Sequence, residues 1–149
     1  MTPSTSPADR VAILGAINPA SQAAGTVSTG WFPAKLWGSF LAIVQAGALG
    51  ANATVDAKLE QAKDAAGASA KDIAGKSITQ LTKTDADDNK QAEINLRQAE
   101  LDIANGFTHV RLSITVATAA CLVAGLVIGL DPRFGPASDY DAASVDSIA

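Results

Sequence analysis

Little in this chain is equipped for chemistry. It has a single cysteine, Cys121, in 149 residues, so no intrachain disulfide staples the fold. It has a single histidine, His109, which excludes any site that needs two imidazoles. Aromatic residues make up 5% of the sequence, so a core has to be assembled from aliphatic and small side chains with few large anchors. Fifteen acidic residues against eleven basic ones give a net charge of −4. With no basic stripe anywhere, a nucleic-acid surface is not expected. No GxGxxG or GxxxxGK[ST] segment occurs, and nothing supports a nucleotide cradle. The acidic run Thr84–Asn89 resembles part of a calcium loop but lacks the glycine and the closing glutamate of an EF-hand. It is expected to be a solvated loop. His109 has no carboxylate or nucleophile near it in sequence, and Cys121 lies between Ala120 and Leu122. The first is expected to be structural and the second a buried, inert thiol. Neither catalysis, nor a metal, nor a cofactor is expected.

What the chain does have is length for one domain and an apolar content of 48%, much of it alanine and glycine. Residues 1–8 are rich in Ser, Thr and Pro and are expected to be a flexible tail. Residues 137–149, small and acidic, are expected to be a second flexible tail, ordered only against a partner. The domain is then residues 9–136. The run Val11–Ile17 is too short, and its flank too balanced in charge, for a signal peptide. Within the domain, turn signals such as Asn18-Pro19, Gly30, Gly50, Gly67, Asn105-Gly106 and Asp131-Pro132 recur every ~8–15 residues. That is the rhythm of an antiparallel β-sandwich.

The clearest strand is THVRLSITVATA. Val110, Leu112, Ile114 and Val116 alternate with Arg111, Ser113, Thr115 and Ala117, the two-residue period of a half-buried strand. Asn105-Gly106 stands just before it and is a strong hairpin signal. The expectation is that residues 101–103 pair back onto 107–112. Two further stretches fit either period. In ATVDAKLEQ, Val55, Ala57 and Leu59 alternate with charges, yet Val55, Leu59, Ala62 and Ala66 also fall at helical spacing. In 90–105, Ala92, Leu96, Ala99 and Ile103 form a helical stripe while Ile94 and Leu96 alternate with polar residues. The surrounding turns favour strands for both.

Leu112–Leu130 carries no charge and is almost long enough to cross a bilayer. Its strict alternation, its Ser and Thr at 113, 115 and 118, and the absence of a basic cluster beside it argue instead for two strands, 109–118 and 122–130, joined near Ala119–Cys121. The second, LVAGLVIGL, is apolar on both faces, as in a strand buried between layers. Of the few aromatics, Phe40 and Phe107 are expected in the core. Trp31, Phe32 and Trp37 cluster in GWFPAKLWG, and Phe134 and Tyr140 follow the last strand. These five are the candidate partner-binding residues, with an end cap of the sandwich as the alternative for the first three.

The segments NPASQAAGTVSTGWFPAKLWGSFLAIVQAGALG, TVDAKLEQAKDAAGASAKDIAGKSITQLT, KQAEINLRQAELDIANGFTHVRLSITVATA and LDPRFGPA together resemble a family of small virion proteins of tailed phages. The nearest likeness is to the head-spike base, or head decoration, protein of gene transfer agents. The resemblance spans roughly residues 18–137 and rests on a pattern across segments. It implies a jelly-roll β-sandwich, a non-enzymatic role, and a homo-oligomer of five copies. That ring would sit at a capsid vertex on the particle exterior, between the major capsid protein and a spike or fibre protein, with no nucleic acid and no membrane bound. Assembly in the bacterial cytoplasm suits an acidic chain of this kind. The other readings are a tail component of such a particle, a small membrane protein spanning at 112–130, and a glycan-binding sandwich using Trp31 and Trp37.

Overall fold

The structure is a computed structural model that describes residues 6–135, 137 and 142–149. Ten strands appear among them: β1 Ala12–Gln22, β2 Gly25–Ser28, β3 Phe32–Pro33, β4 Trp37–Leu49, β5 Thr54–Ala62, β6 Lys71–Ser77, β7 Leu81–Thr82, β8 Gln91–Arg97, β9 His109–Ala117 and β10 Cys121–Pro132. One sheet has the order β1-β10-β4-β8 and the other β2-β9-β5-β6, with β3 attached to β9 and β7 to β5. Every pairing is antiparallel. Apart from β5 and β6, successive long strands lie in opposite sheets. The order of the eight long strands is that of a jelly roll, wound from interleaved Greek keys, with β3 and β7 bringing the second sheet to six strands.

The alternation in the sequence explains the strands. Val55, Ala57 and Leu59 on β5, and Val110, Leu112, Ile114 and Val116 on β9, are each at most 3% exposed. These rows fill the space between the sheets. Both ambiguous stretches are therefore extended where the alternation is clean. On β8, Ile94 and Leu96 point inward, and the strand gains main-chain partners from β4, Leu41 opposite Asn95. A helix would have buried Ile103, which is 52% exposed.

Leu112–Leu130 forms two strands, but not a paired unit. β9 belongs to one sheet and β10 to the other, and the chain crosses between them at Thr118, whose φ of 75° is unusual for a β-branched residue. No helix among the described residues is long and apolar enough to cross a membrane. The Asn105-Gly106 hairpin does not form. Gly106 adopts φ 84° to close a short 3-10 turn, Ile103–Asn105, and β9 pairs with β5 instead, Arg111 opposite Glu60. A left-handed glycine ends a helical turn as readily as it makes a hairpin, so the dipeptide alone did not decide the pairing.

β10 corrects a second expectation. It is not covered on both sides. Cys121, Val123, Gly125, Val127 and Gly129 face the core, while Leu122, Ala124, Leu126, Ile128 and Leu130 face outward. The inward glycines make room. A Cβ on Gly129 would lie 2.6 Å from Cδ2 of Trp37, and one on Gly125 2.8 Å from Cδ2 of Leu112.

Buried polar groups are few and paired. The Thr29 hydroxyl accepts from the Leu112 amide at 3.0 Å and donates to the Gly30 carbonyl at 3.0 Å. It stands in for a ladder bond to β9 in the gap between β2 and β3. Thr29→Val keeps the shape and strands the Leu112 amide, so we expect a loss of about 1–3 kcal/mol in unfolding free energy. Chemical denaturation of the pair of proteins measures it, and an unchanged midpoint would mean that water replaces the hydroxyl. Gln61 acts similarly, its Oε1 accepting from the Asp102 amide at 2.9 Å.

Carboxylates hold the loops. Asp64 accepts from the amides of Ala68 at 3.0 Å and Ala66 at 2.9 Å. Asp88 accepts from the Leu49 amide at 2.8 Å and from Lys83. Glu100 accepts from the Arg97 amide at 2.8 Å, and Asp102 from Lys71 and Asn105. These bonds favour the ionised forms and hold all four carboxyls below their usual values, the Leu49 amide being the main cause at Asp88 and Lys71 at Asp102. With the folded pKa depressed, the contribution is full above the unfolded range of about 4 and is lost as pH falls through the lower folded values. Thermal melts are expected to be flat from neutral pH down to about 5, then to fall steeply below about 4. Asp88→Asn should flatten that fall, and an equally steep fall in the variant would remove Asp88 from the account.

Candidate interaction surface

Strand register defines the outer face of the β1-β10-β4-β8 sheet row by row. One row is Ala16, Leu126, Ile43 and Glu93, and the next is Ile13, Ile128, Leu41 and Asn95. Leu130, Ser39 and Arg97 make a third, and Ala124, Gln45 and Gln91 a fourth. Across β1, β10 and β4 the centre of this face is aliphatic. Polar side chains appear along the β8 edge and at the row ends. The strands lie flat and shield one another, so each side chain at the centre is only partly exposed; Leu122, at the end of β10, is 47% exposed.

The outer face of the other sheet is built in the opposite way. Lys58 pairs with Asp72 at 2.7 Å, and Arg111 with Glu60 at 2.7 Å while lying 4.5 Å from the centre of the Trp31 ring. Thr26 meets Thr115 at 2.8 Å, and Ser28 donates to Ser113 at 3.1 Å. That face is dressed for water, and the pairing holds Lys58 above its usual pKa, through Asp72 first. The contrast between the faces is the main chemical asymmetry of the molecule. Single exposed apolar side chains need no explanation, but a contiguous aliphatic sheet face marks a contact surface.

The aromatic candidates are scattered. Phe32 and Trp37 are 1% and 2% exposed, inside the sandwich with Phe40. The rings of Phe32 and Phe40 lie 6.1 Å apart. Trp31 is half-buried under Arg111 and the loop at Gly67. Phe134 is 70% exposed beyond β10, and Tyr140 lies outside the described residues. The structure does not bring the four described ones, Trp31, Phe32, Trp37 and Phe134, into one patch. Phe107 is buried with Lys71 4.1 Å from its ring centre.

The other single-residue readings can be placed as well. His109 Nδ1 lies 2.9 Å from the Thr108 hydroxyl. The buried Cys121 thiol faces the Ala119 carbonyl at 3.6 Å. In the acidic loop, Asp85 accepts from the Thr82 hydroxyl at 2.7 Å, and Asp87 from the Thr82 amide at 2.9 Å. Among the described residues no group of three or more His, Cys, Asp or Glu is arranged to hold a metal ion.

The fold thus belongs to the antiparallel jelly-roll sandwiches. Solved structures with a related chain path include a subunit of the cowpea mosaic virus empty virus-like particle, 11% identical over 89% of this chain and 86% of that one, with a TM-score of 0.44. A subunit of the naturally occurring empty particles of cowpea mosaic virus is 12% identical over 91% of this chain and 89% of that one, also at 0.44. Likenesses of that size carry no inference about partners. No family model matches the sequence, and no curated protein matches it.

Proposed function

We propose that this chain is a non-enzymatic structural subunit of a tailed-phage-like particle. In this reading it is an oligomeric base on the capsid exterior that sits at a vertex, in five copies, and carries a head spike or fibre. The observation that carries the reading is the aliphatic outer face of the β1-β10-β4-β8 sheet, on a sandwich whose sequence segments resemble head-spike base proteins. A subunit that works by being held between neighbours needs such a face; a freely diffusing domain is harmed by it. Jelly rolls also serve lectins and enzymes, so the topology supports the reading without deciding it.

The test is localisation. Gold-labelled or tagged protein, imaged on intact particles from a producing strain, is expected at the head vertices, at the root of the spikes. Label on the tail instead would make the chain a tail component, and particles free of label would end the virion reading. A glycan array that lights up and goes dark with Trp31→Ala would favour the glycan-binding alternative.

A further inference from the structure

We infer that the outer face of the β1-β10-β4-β8 sheet is where a second copy of this chain docks. The inference rests on the oligomeric part of the reading above and not on the particle location.

Three observations favour a second copy over the chain's own C-terminal segment or a lipid surface. The first is size. β10 has twelve residues, so at about 3.3 Å per residue and about 4.8 Å between strands the face measures roughly 40 by 15 Å, or some 600 Å² before its relief is counted. A stable protein–protein contact takes about 800 Å² from each partner, and a face of this size nearly supplies it.

The second is that the described residues leave much of the face uncovered. Among the described residues, Val145 and Ile148 line a groove on it with Ile13, Leu126 and Ile128. Ile148 remains 70% exposed there. Leu41, Ile43, Ala124 and Leu130 lie beyond that contact.

The third is charge. The aliphatic centre is uncharged, and its β8 rim carries one acid and one base, Glu93 and Arg97. An acidic lipid surface calls for a cationic rim, and this chain has a net charge of −4. A copy of the same chain brings both signs to meet Glu93 and Arg97.

The experiment is light scattering on size-exclusion peaks of the full chain at on the order of 10 μM, without detergent, for the wild type and for Ile43→Lys, Leu126→Lys and Thr115→Lys. Ile43 and Leu126 are opposite one another at the centre of the face. Thr115 lies on the hydroxyl-lined outer face of the other sheet. Wild type and Thr115→Lys are expected to run as a discrete oligomer. Either face variant should fall to the mass of one chain while keeping the wild-type strand signal in circular dichroism and a cooperative melt. The melt separates loss of contact from loss of fold.

If both face variants keep the wild-type mass, the assignment fails and the oligomeric reading survives. A wild-type monomer overturns both. So does a monomer that associates only after removal of 142–149, because the segment would then be the natural cover. A monomer that pellets with phosphatidylcholine or phosphatidylglycerol vesicles would make the occupant a membrane and likewise overturn the inference.

Discussion

Trp37→Ala is expected to cost about 3–5 kcal/mol of unfolding free energy, a large part of the ~5–15 kcal/mol that holds a domain of this size together. The reason is local. Trp37 begins β4, is 2% exposed, and is the largest fully buried side chain of the core. Its indole lies over the backbone of Gly129, with Leu14 on the same spot. With aromatics at 5% of the sequence, few other side chains can collapse into the void. Chemical denaturation gives the number. A loss below about 1 kcal/mol would mean that the neighbouring strands close the gap.

Gly129→Ala tests the same contact from the other side. The added carbon would sit 2.6 Å from Cδ2 and 2.8 Å from Cε3 of Trp37, and 2.8 Å from Cδ1 of Leu14. No unstrained structure tolerates such separations, and an indole wedged between two sheets has little room to retreat. A loss of about 1–3 kcal/mol is expected from overpacking. The two substitutions are not independent. Two of the three atoms nearest the new methyl belong to the indole, so Gly129→Ala made in Trp37→Ala should cost far less and partly fill the cavity. An interaction energy of about 0.5–3 kcal/mol in that cycle is the expected signature. Simple additivity would mean that the strands move apart rather than the side chains colliding.

How much of this was legible in the sequence depends on whether the deciding interaction was local. The alternation in β9 and β5 is a property of a few consecutive residues, and both strands lie where the pattern puts them. The jelly-roll sandwich was legible in outline from the turn rhythm and the resemblance. Pairing was not. β1 meets β10, Ala16 opposite Leu126, across most of the chain, and no local signal announces it. The Asn105-Gly106 signal failed because its proposed strand, 101–103, lost to β5 as the partner of β9.

The candidate surface was half legible. LVAGLVIGL is apolar at both parities, a pattern that by itself suits a strand buried on two sides. A two-layer sandwich has only one inside, so half of those residues had to face out. Counting layers against apolar faces would have exposed Leu126, Ile128 and Leu130 as surface before any coordinates. Rare aromatics suit a partner contact and a core equally, and in a core short of large side chains Phe32 and Trp37 go inside.

The position of β10 also bears on how the chain reaches its native state. It is the last strand among the described residues, yet it runs between β1 and β4 in the middle of its sheet. Until the ribosome has released it, β1 has no partner in that sheet, because its ladder is with β10. A nascent chain ending near Ala120 therefore holds an unfinished sandwich with a gap through one wall. Folding must wait for β10 and then close pairings as distant in sequence as Ala12 with Gly129, the kind that make β-rich domains slow folders, in milliseconds to seconds. During that wait the aliphatic strands β1 and β4 are unsatisfied edges, and the pace at which β10 is inserted sets how long they remain so.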